Sequence, residues 1–209
     1  MPKQLLAVQY LDATDRDADS IASLHADSWR RHYRGAYLDA YLDGDVVADR
    51  QEVWRSRLAQ PNQGQFTVIA RQGNELLGFA HTILDEDPRW GSLLENLHIQ
   101  SDLKRTGIGS RLLSEAARRL LTLRPEGSLH LWVLAQNTAA QAFYDARGGS
   151  RVETQLRGPF PGGGRALGHR YYWTNSTRLL IGPEIIGYRL GLHCPHFAGM
   201  RHDRRPTRR

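Results

Sequence analysis

The sequence predicts a mixed α/β (α+β) domain, and three observations predict it. Apolar runs with two-residue alternation and runs with 3.6-residue spacing interleave along the chain instead of segregating into halves. Residues 65–71 and 75–84 are β-rich and are joined by Gln72-Gly73-Asn74, residues that tolerate the positive φ of a hairpin turn. Residues 92–113 begin as a strand-like run (Leu93, Leu94, Leu97, Ile99) and end as a helix. That helix carries Ile108, Leu112, Leu113, Ala116, Ala117, Leu120 and Leu121 on one face.

The elements follow in order. Residues 5–11 read as a first strand. The acid-rich stretch 12–19 offers Thr14 or Asp15 as an N-cap, and Ile21, Leu24, His25, Ser28 and Trp29 then share a helical face. Further helical stretches are expected at 37–42 and 46–58. After the hairpin, the polar, Pro-containing residues 85–91 form a turn into the central strand. Residues 128–134 and 150–157 are strands, 158–164 (Gly-Pro-Phe-Pro-Gly-Gly-Gly) is a loop by composition, and 169–173 is a last, aromatic-rich strand. The order is βααα-ββ-βα-βα-ββ, giving one domain over residues 1–174. Residues 175–209 lack such periodicity apart from an apolar patch at 179–186. They form a basic extension that is either disordered or adds a short element.

Charge and composition exclude several classes. The net charge is +6, but seven arginines against two acids after residue 174 leave the folded domain close to neutral. A basic nucleic-acid footprint on the domain is therefore not expected. No run of 18 apolar residues suggests a membrane span, and the N-terminus lacks the long apolar segment of a signal peptide. Cys194 is the single cysteine, which excludes an internal disulfide framework. His193 and His196 flank it without a carboxylate pair to complete a ligand set, so no metal is expected. A cytoplasmic protein is the default.

The strand-turn-helix at 92–113 carries the chemistry. The first N–H groups of a helix have no intrahelical partner, and Gly107 and Gly109 let the backbone come close to whatever binds there, so the pattern points to a phosphate. A P-loop would need Lys-Ser/Thr after Gly109, where Ser110-Arg111 stands. A dinucleotide fingerprint would need a third glycine at Leu112 and an acid about 20 residues on. Lys104-Arg105-Thr106-Gly107-Ile108-Gly109 instead resembles the Gln/Arg-x-x-Gly-x-Gly/Ala motif of the GNAT superfamily of N-acetyltransferases, with Lys104 in place of Gln or Arg. Downstream, Asn137-Thr138-Ala139-Ala140-Gln141-Ala142-Phe143-Tyr144 is similar to that family's Asn-x-x-Ala-x-x-Phe-Tyr, although the aromatic usual after Gly148 is missing. Leu77-Gly78-Phe79 is similar to a segment of its third strand, and Trp29-Arg30 to Gly35 is similar to a Trp-Arg-x-x-Tyr-Arg-Gly pattern of some bacterial members.

The resemblance implies a mostly antiparallel sheet flanked by helices, with a splayed strand pair holding acetyl-CoA. It implies cofactor contacts from Leu97, His98 and Ile99, from Lys104 through Ser110, and from Asn137, Ala140 and Phe143. It implies an acceptor wall at Trp29, Tyr33 and Tyr37, residues that could equally be packing aromatics. It implies Tyr144 as the acid that protonates the departing thiolate, and main-chain N–H groups around His98 and Ile99 to polarise the carbonyl. An amine near pKa 10 must also lose a proton before it attacks. Glu95 is the favoured base, with His98 next and a water relay, His25 or His81 behind. Strand alternation puts Glu95 with Leu97 and Ile99, and His98 on the opposite face. The expected reaction is direct acetyl transfer to a primary amine, in a small molecule or peptide. Homodimers are frequent in the family, which makes a dimer one option. A silent acyl-CoA-binding sensor and a nucleic-acid-binding protein acting through the Arg-rich tail are the competing readings.

Overall fold

The computed structural model describes residues 7–60 and 62–180. Its strands are β1 Gln9–Asp12, β2 Gln65–Gln72, β3 Glu75–Asp87, β4 Gly91–Ile99, β5 Leu129–Leu134, β6 Ser150–Arg157 and β7 Ala166–Trp173. They form a seven-stranded sheet in the order β1-β2-β3-β4-β5-β7-β6. Every neighbouring pair is antiparallel except β4 and β5, which are parallel. Helices α1 Ala18–His32, α2 Asp39–Asp43 and α3 Val46–Ala59 lie between β1 and β2, α4 Ile108–Leu123 joins β4 to β5, and α5 Thr138–Asp145 follows β5. The element order is the one expected from the sequence.

Each helix buries the stripe its sequence prescribes. Residues 15–17 form a short 3-10 turn ahead of α1, where the Thr14 N–H donates to the Asp17 carboxylate at 2.8 Å. Ile21, Ala22 and Trp54 from α1 and α3 pack with Ile69 and Phe79 on one face of the sheet. On the other face, Leu112, Leu113, Ala116, Leu120 and Leu121 of α4 pack against Val68, Ala80, Leu94, Leu129, Leu131, Tyr171 and Trp173. Apolar burial on both faces fixes which side of each strand is which.

The boundaries differ in places. The first strand is Gln9–Asp12, paired to β2 from Gln9↔Arg71 to Asp12↔Val68, and Leu5 and Leu6 of the expected strand lie outside the described residues. The polar stretch expected as a turn from 85 is partly strand, because Asp87 pairs with Gly91 and leaves only residues 88–90 to turn the chain. Past residue 174 the chain is still packed. Ser176 donates through Oγ to the Gly127 carbonyl at 2.7 Å, and Leu179 and Leu180 are buried in the α4 core. Residues 181–209, with Cys194, His193, His196 and six of the seven tail arginines, lie outside the described residues.

Two irregularities of β4 shape the site. It pairs with β5 at two positions only, Ser92↔Leu129 and Leu93↔His130, so the two strands part after Leu93 and leave a gap. Its register with β3 slips between Thr82↔Leu94 and His81↔Asn96, which is a β-bulge at Glu95.

Candidate active site

The gap between β4 and β5 is the centre of the site. Beyond the bulge, the Gln100 N–H donates to the Leu77 carbonyl on the β3 side at 2.9 Å. Alternate residues of a strand share an edge, so the N–H groups of Leu97 and Ile99 point the other way, into the gap. That of His98 points to β3. The expected main-chain donors around His98 and Ile99 are thus Leu97 and Ile99. Their side chains pack toward α4.

At the end of β4 the chain forms a short 3-10 turn, Ser101–Leu103, and then the loop that starts α4. Arg105 and Gly107 both take positive φ, at 66° and 92°. A Cβ at Gly107 would meet no atom within 4 Å, so the helix N-terminus opens onto free space. The N–H groups of Gly109 and Ser110 belong to the unpartnered first turn, whereas Arg111 already donates to the Gly107 carbonyl. Ile108 is buried in the α4 core and serves the loop through its backbone. Thr106 is committed locally, donating through Oγ1 to the Leu103 carbonyl at 2.6 Å. Lys104 reaches back across the mouth of the gap, with Nζ 3.0 Å from His32 Nε2 at the end of α1. An exposed Lys, two left-handed backbone positions and a 16-residue helix aimed at open space fit a phosphate group.

From the other wall, α5 contributes Tyr144. Asn137 accepts the Ala140 N–H at 3.1 Å, so these two members of the second motif cap the helix. Phe143 lies beside Gly109, about 4.0 Å from where a Cβ would stand, and ties α5 to the start of α4. The Tyr144 ring is buried against Phe143, Tyr171 and Trp173. Its hydroxyl makes no hydrogen bond among the described residues, so it is not tied to the backbone. Burial raises its pKa, and the nearby Tyr33 hydroxyl adds to the rise. Burial pushes Tyr33 itself up to about 12. Two neutral phenols therefore face the gap from α1 and α5.

The bulge overturns the expected facing of Glu95. Leu94 and Leu97 both look toward α4, and the extra residue between them sends Glu95, Asn96 and His98 to the α1/α3 face together. Glu95 and His98 are neighbours there and do not compete for a face. Arg57 of α3 donates to both Glu95 oxygens, at 2.5 and 3.2 Å, and Asn96 donates at 2.9 Å. The Glu95 side chain is one-third exposed. His98 Nδ1 is 2.8 Å from Ser28 Oγ, and its ring sits 4.8 Å from that of His25. Burial lowers its pKa to about 3, with His32 contributing, so the ring is neutral at pH 7.

Trp29 and Tyr37 form a packed aromatic cluster with Ala26, Leu42 and Val46. The Tyr37 ring stacks on Phe160 at 4.6 Å, and Arg50 lies 4.4 Å over Trp29. Gly164, at φ 88°, sits so close to the Ala36 carbonyl that a Cβ would come within 2.2 Å, which seats the 158–164 loop on this wall. Trp29 and Tyr37 build the wall from within, while Tyr33, half-buried at the end of α1, faces the gap. Arg57, Ser28, His81 and Thr67 complete the α1/α3 side, and of these the sequence offers only His81, as a remote base. Ser28 does fall on the α1 stripe. Nothing local marks Arg57, whose partner is 38 residues away.

A gap between two parted parallel strands, a helix N-terminus open to solvent at one end and a tyrosine hydroxyl without a protein partner among the described residues make up the candidate site, and its setting is that of an acetyltransferase. The family model for the acetyltransferase (GNAT) family matches residues 20–148, and the chain belongs to that family. It is 29% identical over 143 residues to the uncharacterized N-acetyltransferase YuaI of Bacillus subtilis, across 68% of this chain and 79% of that protein. It is similar in fold to PaiA N-acetyltransferase of Thermoplasma acidophilum, solved in complex with coenzyme A. The TM-score is 0.63 at 19% identity, over 80% of this chain and 100% of that one. It is also similar to YncA of Salmonella typhimurium, a putative acetyltransferase solved with its cofactor acetyl-CoA. There the TM-score is 0.59 at 14% identity, over 80% and 93% of the two chains. Among the described residues no helix is long and apolar enough to cross a membrane, and no group of His, Cys, Asp or Glu could hold a metal ion.

Proposed function

We propose that the protein transfers an acetyl group from acetyl-CoA directly to a primary amine, in the cytoplasm, with both substrates bound at once. What supports this most is the separation of β4 from β5 after Leu93↔His130, which leaves the Leu97 and Ile99 N–H groups facing open space beside Tyr144. When bound, acetyl-CoA supplies the activated thioester.

The start of α4, with Lys104, Arg105 and the Gly107–Ser110 backbone, holds the diphosphate. The Leu97 and Ile99 N–H groups align the pantetheine arm and polarise the thioester carbonyl. Glu95 takes the amine proton from the α1/α3 side, where His98 and Tyr33 border the same space. Tyr144 donates its hydroxyl hydrogen to the departing thiolate, and its raised pKa keeps that hydrogen in place until a thiolate forms. Rate comes mainly from holding amine and thioester in line. The cluster of Trp29, Tyr37 and Phe160 sets the outer limit of the acceptor space. The acceptor is a small molecule or peptide amine.

The test is calorimetric titration with acetyl-CoA followed by a free-thiol release assay over a panel of alkylamines, polyamines, amino acids and peptides. Micromolar binding with amine-dependent thiol release supports the proposal. Binding with no release from any amine favours a silent acyl-CoA sensor, and no binding removes the proposed role of Lys104 to Ser110.

A further inference from the structure

Behind Glu95, on the side away from the gap, stands a buried histidine that the scheme above leaves unused. His81 of β3 is 1% exposed. Its Nδ1 is 2.8 Å from Thr67 Oγ1 on β2, and its Nε2 has no hydrogen-bond partner. That orphan atom faces Glu95 Oε2 at 4.0 Å. The ring is fixed, edge-on to Trp54 at 5.4 Å.

An N–H beside a carboxylate would close to about 2.9 Å. At 4.0 Å no hydrogen bond joins the two atoms, and Glu95 Oε2 is held instead by Arg57 and Asn96. Burial, with Arg57 adding, lowers the His81 pKa to about 4, so the ring is neutral at pH 7. The neutral ring carries one hydrogen, and Thr67 Oγ1 offers it an acceptor at Nδ1. With the hydrogen on Nδ1, Nε2 presents its lone pair to Glu95.

We infer that His81, held by Thr67, is a positioning residue that accepts a hydrogen bond from Glu95 only after Glu95 has taken the acceptor's proton. The inference rests on the proposed role of Glu95 as base. The balance is simple. The ammonium N–H bond breaks, its electron pair stays on nitrogen for the attack, and its proton forms an O–H bond on Glu95. Protonation weakens that oxygen's hydrogen bonds from Arg57 and Asn96, and the released carboxyl group turns its new O–H to His81 Nε2 instead. The hydrogen bond exists in the protonated state and not in the resting one, so it favours proton transfer without strengthening substrate binding.

The experiment compares two acceptors and two pairs of variants. Benzylamine, or the fastest amine from the panel, is protonated at neutral pH, whereas hydroxylamine is already neutral. His81→Asn, which can still bond Thr67 but offers no acceptor toward Glu95, should lower kcat with benzylamine roughly 10-fold while leaving hydroxylamine turnover and acetyl-CoA affinity unchanged. Thr67→Val, which frees the ring to change tautomer, should show the same selective loss, and Thr67→Ser should not. Nitrogen-15 NMR should find His81 with its hydrogen on Nδ1. Equal losses with both acceptors, or a ring protonated on Nε2, overturns the inference, and the NMR result holds even where His81→Asn fails to fold. If Glu95→Gln shows the selective loss and the His81 and Thr67 variants do not, this inference alone fails. If Glu95→Gln shows none, or no amine releases thiol, the underlying reading fails with it.

Discussion

Glu95 and His98 stand on the same face of β4, three residues apart, where an unbroken strand would put them on opposite faces. One extra residue in the ladder does this, and it brings a carboxylate and a neutral imidazole to the same side of the gap. Replacing Glu95 with Gln should lower kcat for thiol release about 100-fold, with acetyl-CoA affinity unchanged by calorimetry. His98→Gln should cost much less, since a ring that gains a proton only near pH 3 is a weak base. A larger loss at His98 than at Glu95 would exchange their roles.

Tyr144 has its ring in the core and its hydroxyl without a protein partner, so its function can be separated from its packing. Tyr144→Phe removes the hydroxyl and keeps the ring contacts with Tyr171 and Trp173. Thiol release should slow roughly 10- to 100-fold at unchanged Tm and unchanged acetyl-CoA affinity. Because burial raises the phenol above its ordinary value, Tyr144 should still be a donor at pH 10, and wild-type activity should show no decline below that pH attributable to it. A fall in Tm together with activity would make the residue structural.

The order of elements was legible in the sequence because it rests on period. The stripe Leu112, Leu113, Ala116, Ala117, Leu120, Leu121 is the buried face of α4, and β6 spans the 150–157 predicted for it. The start of α4 was legible because Gly107 and Gly109 have a local backbone reason to be there. The bulge was not, since Leu94-Glu95-Asn96-Leu97 contains no glycine or proline and alternation alone cannot register an inserted residue. Nor were Arg57 and Thr67, whose roles depend on partners 38 and 14 residues away that only the folded sheet brings close. The aromatic wall was legible in composition but not in exposure: Trp29 and Tyr37 turned out buried and Tyr33 half-open.

Gly107 separates anion binding from folding. Its φ of 92° is left-handed, so Gly107→Ala costs about 1 kcal/mol of backbone strain, while the added Cβ meets no protein atom. The Cβ would instead occupy the space in front of the helix N-terminus. The expected outcome is a fall in Tm of a few degrees and a loss of acetyl-CoA affinity of 10-fold or more by calorimetry. Gly109→Ala, whose Cβ would sit at ordinary contact distances from Ile99 and Phe143, should leave Tm nearly unchanged. An affinity indifferent to Gly107→Ala would place the diphosphate elsewhere.

Leu179 lies beyond the expected domain boundary, yet only 4% of it is exposed. It packs with the α4 core, so Leu179→Ala should destabilise the protein by about 2–4 kcal/mol, as other buried leucines do when truncated. Chemical denaturation of this variant beside a chain ending at residue 174 checks it. Equal stability of wild type and both variants would show that residues 175–180 add nothing to the fold.

Acid should unfold this protein through its histidines before its carboxylates. Burial lowers the pKa of His81 and His130 to about 4 and of His98 to about 3, with Arg57, Arg170 and His32 respectively adding to the effect. His25 falls well below its ordinary value by burial, with His98 contributing. The unfolded chain takes up these protons near pH 6.5 and the folded chain does not. The stabilising contribution is therefore fully present above about pH 6.5 and is lost as the pH falls from there toward 4. Each histidine contributes a slope on the order of 1 kcal/mol per pH unit in that window. The urea midpoint should hold steady between pH 8 and 7 and drop sharply between 6.5 and 5. His130→Gln, which cannot take up a proton in either state, should flatten that drop by about one histidine's share. A midpoint that stays level down to pH 5 would mean that these rings are protonated in the folded protein, and with a charged His81 the lone pair facing Glu95 would not exist.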